Sequence, residues 1–328
     1  MLNFCTLFDK NYLLKGLTLY NSLLKHCDNF TLWILCMDNT TFEILNELKL
    51  KSAILIKIDD FEDDELRKIK PTRTIAEYCW TLTPSLPLYV LKNNPQLDSI
   101  SYLDADLFFY NDPKPIFDEF GNNSIMIIEH RFPQKLKHLE INGIYNVQMM
   151  TFRNDSEGLK SLNWWREKCN EWCYYRLEDG KLGDQKYLDD WPTRFNNVCV
   201  LQHKGAGLAI WNIVRYKIKN INGRTYVDDD QLIFYHFHGF HLLNGGRYEF
   251  GANGAYVLSD ENQKIIYNPY IEELKFAIDQ VRTEFPDFNF GFKPNKRWNK
   301  IPIVCRKIYN KMSLMLQIVF MKDKNNQT

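Results

Sequence analysis

The opening of the chain alternates in a way that few folds can accommodate. Segments 2–8, 30–37 and 53–58 are short, apolar and rich in branched or aromatic residues, as strands are. Between them lie two stretches with helical spacing. The first has Leu13, Leu17, Tyr20 and Leu24 on one face, and the second covers 41–48. A β-α-β-α-β series predicts a parallel sheet with helices on both faces. Ligands of such sheets bind outside the carboxyl ends of the strands. Asp9 and Asp38 stand at two of those predicted ends.

A third predicted end carries two carboxylates. Ser101-Tyr102-Leu103-Asp104-Ala105-Asp106-Leu107-Phe108-Phe109 reads as a buried strand, in which residues i and i+2 point the same way. Asp104 and Asp106 would then converge among aromatic and branched neighbours, a costly arrangement without a counter-charge. A divalent cation is one compensation, and hard oxygen ligands suit Mg²⁺ or Mn²⁺. The alternative is a strand end whose aspartates cap the next loop.

Further along, a charged connection, 59–70, reads as helix, and a Thr/Pro-interrupted helical segment, 72–91, carries Arg73, Glu77, Trp80 and Thr81. Strands are predicted over 124–129 and 143–152. An amphipathic helix is predicted over 157–175, with Leu159, Leu162, Trp165, Cys169 and Trp172 on its apolar face. Gly183-Asp184-Gln185 opens a helix over 186–191, where Asp184 is a cap or a site residue. A strand over 232–239 ends in Tyr235-His236-Phe237-His238-Gly239. One imidazole from it could complete the coordination of a cation held by the aspartates, a mixed ligand set suited to Mn²⁺. The glycine-rich stretch 203–207 lacks a dinucleotide or P-loop fingerprint, although Lys204 and backbone N–H groups would suit a diphosphate. Asp9 and Asn11 either bond a nucleobase or cap the helix at Tyr12.

These pieces, in this order, resemble the GT-A-fold nucleotide-sugar glycosyltransferases. Asp9-Lys10-Asn11-Tyr12 resembles the Asp-x-Asn-Tyr of the retaining galactosyltransferase and glycogenin-like family, and Tyr102-Leu103-Asp104-Ala105-Asp106 its Tyr-Leu-Asp-x-Asp metal motif. Tyr145-Asn146, Asp184-Gln185, Trp211-Asn212 and His236-Phe237-His238-Gly239 match further short motifs. The run Asp184-Gln185-Lys186-Tyr187-Leu188-Asp189-Asp190-Trp191-Pro192 is similar to bacterial glycosyltransferases of surface-polysaccharide clusters, O-antigen and capsule among them. The resemblance spans about 2–240. It implies an α/β GT-A fold with a Rossmann-like, mainly parallel sheet, and a donor that is a nucleoside diphosphate sugar, a UDP-sugar first. It further implies Asp9 and Asn11 near the nucleobase, Asp104, Asp106 and His236 on Mn²⁺ (or Mg²⁺), and Asn146, Asp184 and Gln185 beside the acceptor and the anomeric carbon. Two departures stand out. The family's Lys-Pro-Trp is absent after Gly239, leaving Lys204 and Arg73 as candidates for the diphosphate. Gln148 replaces the glycine usual two residues after Asn146, reshaping the acceptor pocket.

The function this implies is metal-dependent transfer of a sugar to a hydroxyl of a glycan or lipid-linked acceptor, with retention. The competing readings are a sugar-nucleotide nucleotidyltransferase, which would want a Gly-rich basic loop where 9–14 stands, and a catalytically dead nucleotide- or carbohydrate-binding protein.

Net charge is zero over 328 residues, but from Lys293 onward nine Lys/Arg face one acid, so the tail is +8 and the remainder −8. The reading is therefore a glycosyltransferase domain, 1–292, and a basic amphipathic tail, 293–328, with Ile301, Val304, Ile308, Met312, Met315 and Val319 in a helical stripe. Such a tail suits an anionic membrane surface or a docked helix. Eight scattered cysteines read as reduced thiols. With no signal peptide and no long apolar run, the expected location is cytoplasmic, peripheral on the inner face of the cell membrane. No nucleic-acid motif accompanies the basic residues.

Overall fold

The computed structural model describes residues 1–252 and 255–294. The predicted alternation is present: β1 (Leu2–Phe8), α1 (Leu13–His26), β2 (Phe30–Cys36), α2 (Asn39–Leu48) and β3 (Ala53–Lys57). The charged connection and the interrupted segment become four helices, α3 (Ile58–Phe61), α4 (Asp64–Ile69), α5 (Ile75–Leu82) and α6 (Ser85–Asn93). A capping box between Thr74 and Glu77 starts α5. Then come β4 (Ser99–Leu103), β5 (Leu107–Phe109), α7 (Lys114–Phe120), β6 (Ile125–Glu129), β7 (Tyr145–Arg153), α8 (Ser156–Glu171), α9 (Trp191–Arg194), β8 (Val198–Val200) and β9 (Leu208–Ala209).

The main sheet has seven strands in the order β3-β2-β1-β4-β7-β6-β8. All neighbours are parallel except the two pairs that β7 makes, so one strand of seven runs against the rest. The mainly parallel sheet expected from the sequence is met. Apolar side chains cover both faces. One core gathers around α1, and the other around α5, α6 and α8, with Trp165 and Trp191 fully buried in it.

Helix α1 is buried on most of its circumference. Gly16 lies so close to β1 that a Cβ there would fall 2.3 Å from the Phe8 ring, and only glycine permits the approach. Leu13, Leu17 and Tyr20 of the predicted stripe are buried, as is Leu23 beside it, but Leu24 is 45% exposed. At 3.6 residues per turn Leu24 falls on the same line as Leu13, Leu17 and Tyr20, so its exposure belongs to its place in the last turn of α1 and not to a shift of the stripe.

The chain closes with β10 (Ile218–Ile221), β11 (Arg224–Val227) and β12 (Asp230–Gln231) as one small sheet, while β13 (Phe234–His236) lies between β5 and β9 in another. After β14 (Phe240–Leu243), β15 (Arg247–Phe250) and α10 (Asp260–Asn262), helix α11 (Asn268–Glu284) packs on α1, and β16 (Phe292–Lys293) joins β14. The tail beyond 294, with its expected amphipathic stripe, lies outside the described residues. Among the described residues no helix is long and apolar enough to cross a membrane. The seven described cysteines are free thiols.

Candidate functional site

The aspartate pair converges, but not by strand alternation. Strand β4 ends at Leu103, and residues 104–106 form a turn in which the Leu107 N–H donates to the Asp104 carbonyl at 3.1 Å. The chain then leaves the main sheet, and β5 pairs antiparallel with β13, placing Leu107 opposite His236. The Phe237 N–H donates to the Asp106 carbonyl at 2.9 Å. This pairing brings a histidine from late in the chain onto the carboxylates.

His236 Nε2 lies 3.0 Å from Asp106 Oδ1 and 3.7 Å from Asp104 Oδ2. The three residues offer ligand atoms within 4.8 Å of one another. His236 Nδ1 is buried without a partner among the described residues. The Asp104 side chain is 29% exposed and that of Asp106 is 10% exposed, so the cluster opens on the Asp104 side. Two carboxylates and one imidazole at this spacing fit Mn²⁺ or Mg²⁺.

Charges in the cluster push one another apart. Burial raises Asp104 to about 6, only partly offset by His236. Burial would raise Asp106 as well, but the positive charges of His236 and Lys15 outweigh it and hold that carboxyl well below the usual range. Burial disfavours the His236 imidazolium, yet the Asp106 charge and hydrogen bond and the Asp104 charge carry its pKa above the ordinary value. His238, buried beside a charged His236, falls to about 4.

Asp184 sits in the same field. It is buried, and burial together with the Asp104 charge raises it to about 7. Its carboxylate makes no capping bond to the following 3₁₀ turn, Gln185–Leu188, which stands where a helix over 186–191 was expected. The carbonyl of Asp184 accepts from Trp165 Nε1 at 2.9 Å, anchoring this loop to α8. That helix ends at Glu171, short of the expected 175, because Trp172 turns into extended backbone. Gln185 Nε2 donates to the Asn142 carbonyl at 2.9 Å.

Asn146 belongs to a buried network on β7. Its Nδ2 lies 3.0 Å from His130 Nε2, and its Oδ1 accepts from the Gln148 N–H at 3.0 Å. His130, lowered to about 3 mainly by burial, is a neutral imidazole there. Trp211 packs edge-on against His130, His236 and His238, and its Nε1 donates to the His130 carbonyl. Through these rings Asn146 connects to the cation cluster.

Asp9 closes a turn of its own, accepting from the N–H groups of Asn11 and Tyr12 and from Asn11 Nδ2 at 2.8 Å. The loop it forms borders the cluster, for the centroid of the Tyr12 ring lies 4.4 Å from the Nζ of Lys15, which pairs with Asp106. The two cationic candidates have partners elsewhere. Arg73 donates to the Asn170 carbonyl at 3.2 Å and stacks on Tyr174. Lys204 pairs with Asp228 at 3.1 Å on the surface, and its N–H donates to Asp230. Gly205 N–H and Ala206 N–H bond back to His203, so the backbone of 203–207 presents no free cradle at those three groups.

The cation beside the carboxylates is instead Lys15, with Nζ 3.5 Å from Asp106 Oδ2. A signal for it existed: a lysine inside Leu13-Leu14-Lys15-Gly16-Leu17 cannot reach water easily and needs a counter-charge. His130 carried no comparable signal.

No family model matches this chain. It is similar to two proteins of Bacillus subtilis (strain 168), each described as uncharacterized. YfnD is 36% identical over 296 residues, covering 89% of this chain and 94% of that protein. YfnF is 33% identical over 297 residues, covering 88% and 96%. Among solved structures, galactosyltransferase LgtC in complex with donor and acceptor sugar analogs is similar at a TM-score of 0.49 and 11% identity, over 84% of this chain and 96% of that one.

Proposed function

We infer that this chain, which belongs to the family of the Bacillus subtilis proteins YfnD and YfnF, is a metal-dependent glycosyltransferase of GT-A type. It moves a sugar from a nucleoside diphosphate sugar, a UDP-sugar first, to a hydroxyl of a glycan or lipid-linked acceptor in surface-polysaccharide synthesis, with retention. Residues 1–292 form the transferase domain in this reading, and 293–328 a basic tail on the inner membrane face. The observation that carries the reading is the convergence of Asp104, Asp106 and His236 at the carboxyl end of the main sheet, with the buried Asp184 in the field of Asp104.

Asp104, Asp106 and His236 would hold the cation. When bound, Mn²⁺ supplies Lewis-acid stabilisation of the leaving diphosphate. Asp9 and Asn11 form the loop that faces the nucleobase. Asp184 orients sugar hydroxyls, and its raised pKa lets it donate as well as accept near neutrality. Gln185 lies beside the anomeric carbon, and Asn146, fixed by His130, borders the acceptor. Arg73 and Lys204 are given no part in this reading, each being paired with protein groups.

The test is a donor screen. Purified protein with Mn²⁺ is incubated with UDP-, GDP-, dTDP- and CMP-sugars, reading hydrolysis and transfer. Turnover of one donor that needs Mn²⁺ and disappears in Asp106→Asn is the expected result. Absence of binding and turnover across the panel would overturn the reading.

A further inference from the structure

Lys15 is an anomaly in the fold. It lies in the first turn of α1, 6% exposed, between leucines and a glycine that face the core. Burying an ammonium costs several kcal/mol unless it is paired and hydrogen-bonded. Lys15 is paired only at the outer limit of hydrogen-bond distance. Its Nζ stands 3.5 Å from Asp106 Oδ2 and 4.4 Å from the centroid of the Tyr12 ring. Three N–H donors are therefore held in the interior beside a carboxylate whose other oxygen faces His236.

The charge balance explains what such a group does to the cluster. With His236 neutral, as a metal ligand must be, Asp104 and Asp106 ionised give −2, and Lys15 reduces that to −1. A divalent ion bound to the bare cluster would leave it at +1 in a buried setting, where like charges repel strongly. The same ion arriving with an anion meets no such excess. A structural lysine serving only to neutralise Asp106 would be expected to donate to it at about 2.7–3.2 Å, and this one stands off at 3.5 Å.

We propose that Lys15 is a positioning residue that makes cation binding conditional on nucleotide: its ammonium, fixed beside Asp106, weakens capture of the free divalent ion and is compensated by the diphosphate that arrives with it. The inference rests on the cation-and-nucleotide reading given above and assigns to that site a specific linkage. By reciprocity, the factor by which nucleotide tightens the metal is the factor by which metal tightens nucleotide.

The experiment is calorimetry on the full chain, titrating MnCl₂ alone and MnCl₂ in the presence of saturating UDP. Wild type, Lys15→Met and Lys15→Arg are compared, with Lys15→Gln as a second neutral variant should Lys15→Met fail to fold. Removing the charge should tighten Mn²⁺ alone by about fivefold or more. It should shrink the ratio of the two dissociation constants by a similar factor. Lys15→Arg, which keeps the charge, should retain the wild-type ratio. Unchanged or weaker Mn²⁺ binding in the neutral variants, or an altered ratio in Lys15→Arg, overturns the proposal while leaving the cation site intact. If wild type binds no Mn²⁺ with or without UDP, the cation site itself fails, and the linkage with it.

Discussion

Asp106 is the residue on which the site's chemistry turns, because three groups bear on it: His236, Lys15 and the Phe237 N–H bonded to its carbonyl. Replacing it by Asn keeps the shape, removes the charge and leaves Lys15 buried without a counter-ion. Activity with the preferred donor should fall on the order of a thousandfold or more, about 4 kcal/mol of transition-state stabilisation, read as kcat/KM under saturating Mn²⁺. The pH response follows from the same cluster. His236 is raised above its ordinary 6.5 and Asp104 sits at about 6, and both must lose their protons to bind a metal. Mn²⁺ affinity should therefore climb as pH rises through about 6, where Asp104 loses its proton, and go on climbing above 6.5 as His236 loses its own. Titrations at half-unit steps would expose the slope, and a flat profile would remove His236 from the ligand set.

Helix α1 shows how an element reconciles packing with the site. Leu23 is buried and Leu24, in the last turn, lies in solvent, so Leu23→Ala should cost about 2–5 kcal/mol and Leu24→Ala under about 1. Equal destabilisation of the two variants in denaturant unfolding would contradict that placement. Gly16 sets how closely α1 approaches β1, and hence how near Lys15 comes to Asp106. Gly16→Ala would force a methyl into the Phe8 ring, at a cost of about 1–3 kcal/mol seen as a lowered Tm. Alternation along a continuous strand pointed to the correct two carboxylates, yet the backbone there is a turn joining two sheets. Residue type carried the signal, since two acids in an apolar run need compensation in either geometry. Asp184 was equally visible as a residue. Its lack of a capping bond was not, because a cap depends on backbone angles that composition does not set.

Across the whole molecule, the cluster is assembled from the end of the main sheet, the small sheet of β5, β9 and β13 and the start of α1, with Asp184 of the loop after α8 in the field of Asp104. A ligand that bridges separate elements stabilises the folded state by mass action. Mn²⁺ with UDP at about a hundredfold excess over the dissociation constant should add about 2.7 kcal/mol, seen as a rise in melting temperature that Asp106→Asn abolishes. The sequence alone determined the alternation of strands and helices, the mainly parallel sheet and the identity of the carboxylates and of the histidine strand, because side-chain periodicity and the cost of buried charge are local properties of the chain. Tertiary structure alone decided that β13 pairs with β5, so that His236 meets Asp106 rather than standing in a core. It decided that Arg73 and Lys204 are held by Asn170, Tyr174 and Asp228, and that Lys15 is the cation at the carboxylates. These are contacts between residues distant in sequence, set by strand register and helix approach, and no local pattern encodes which distant partner a side chain will reach.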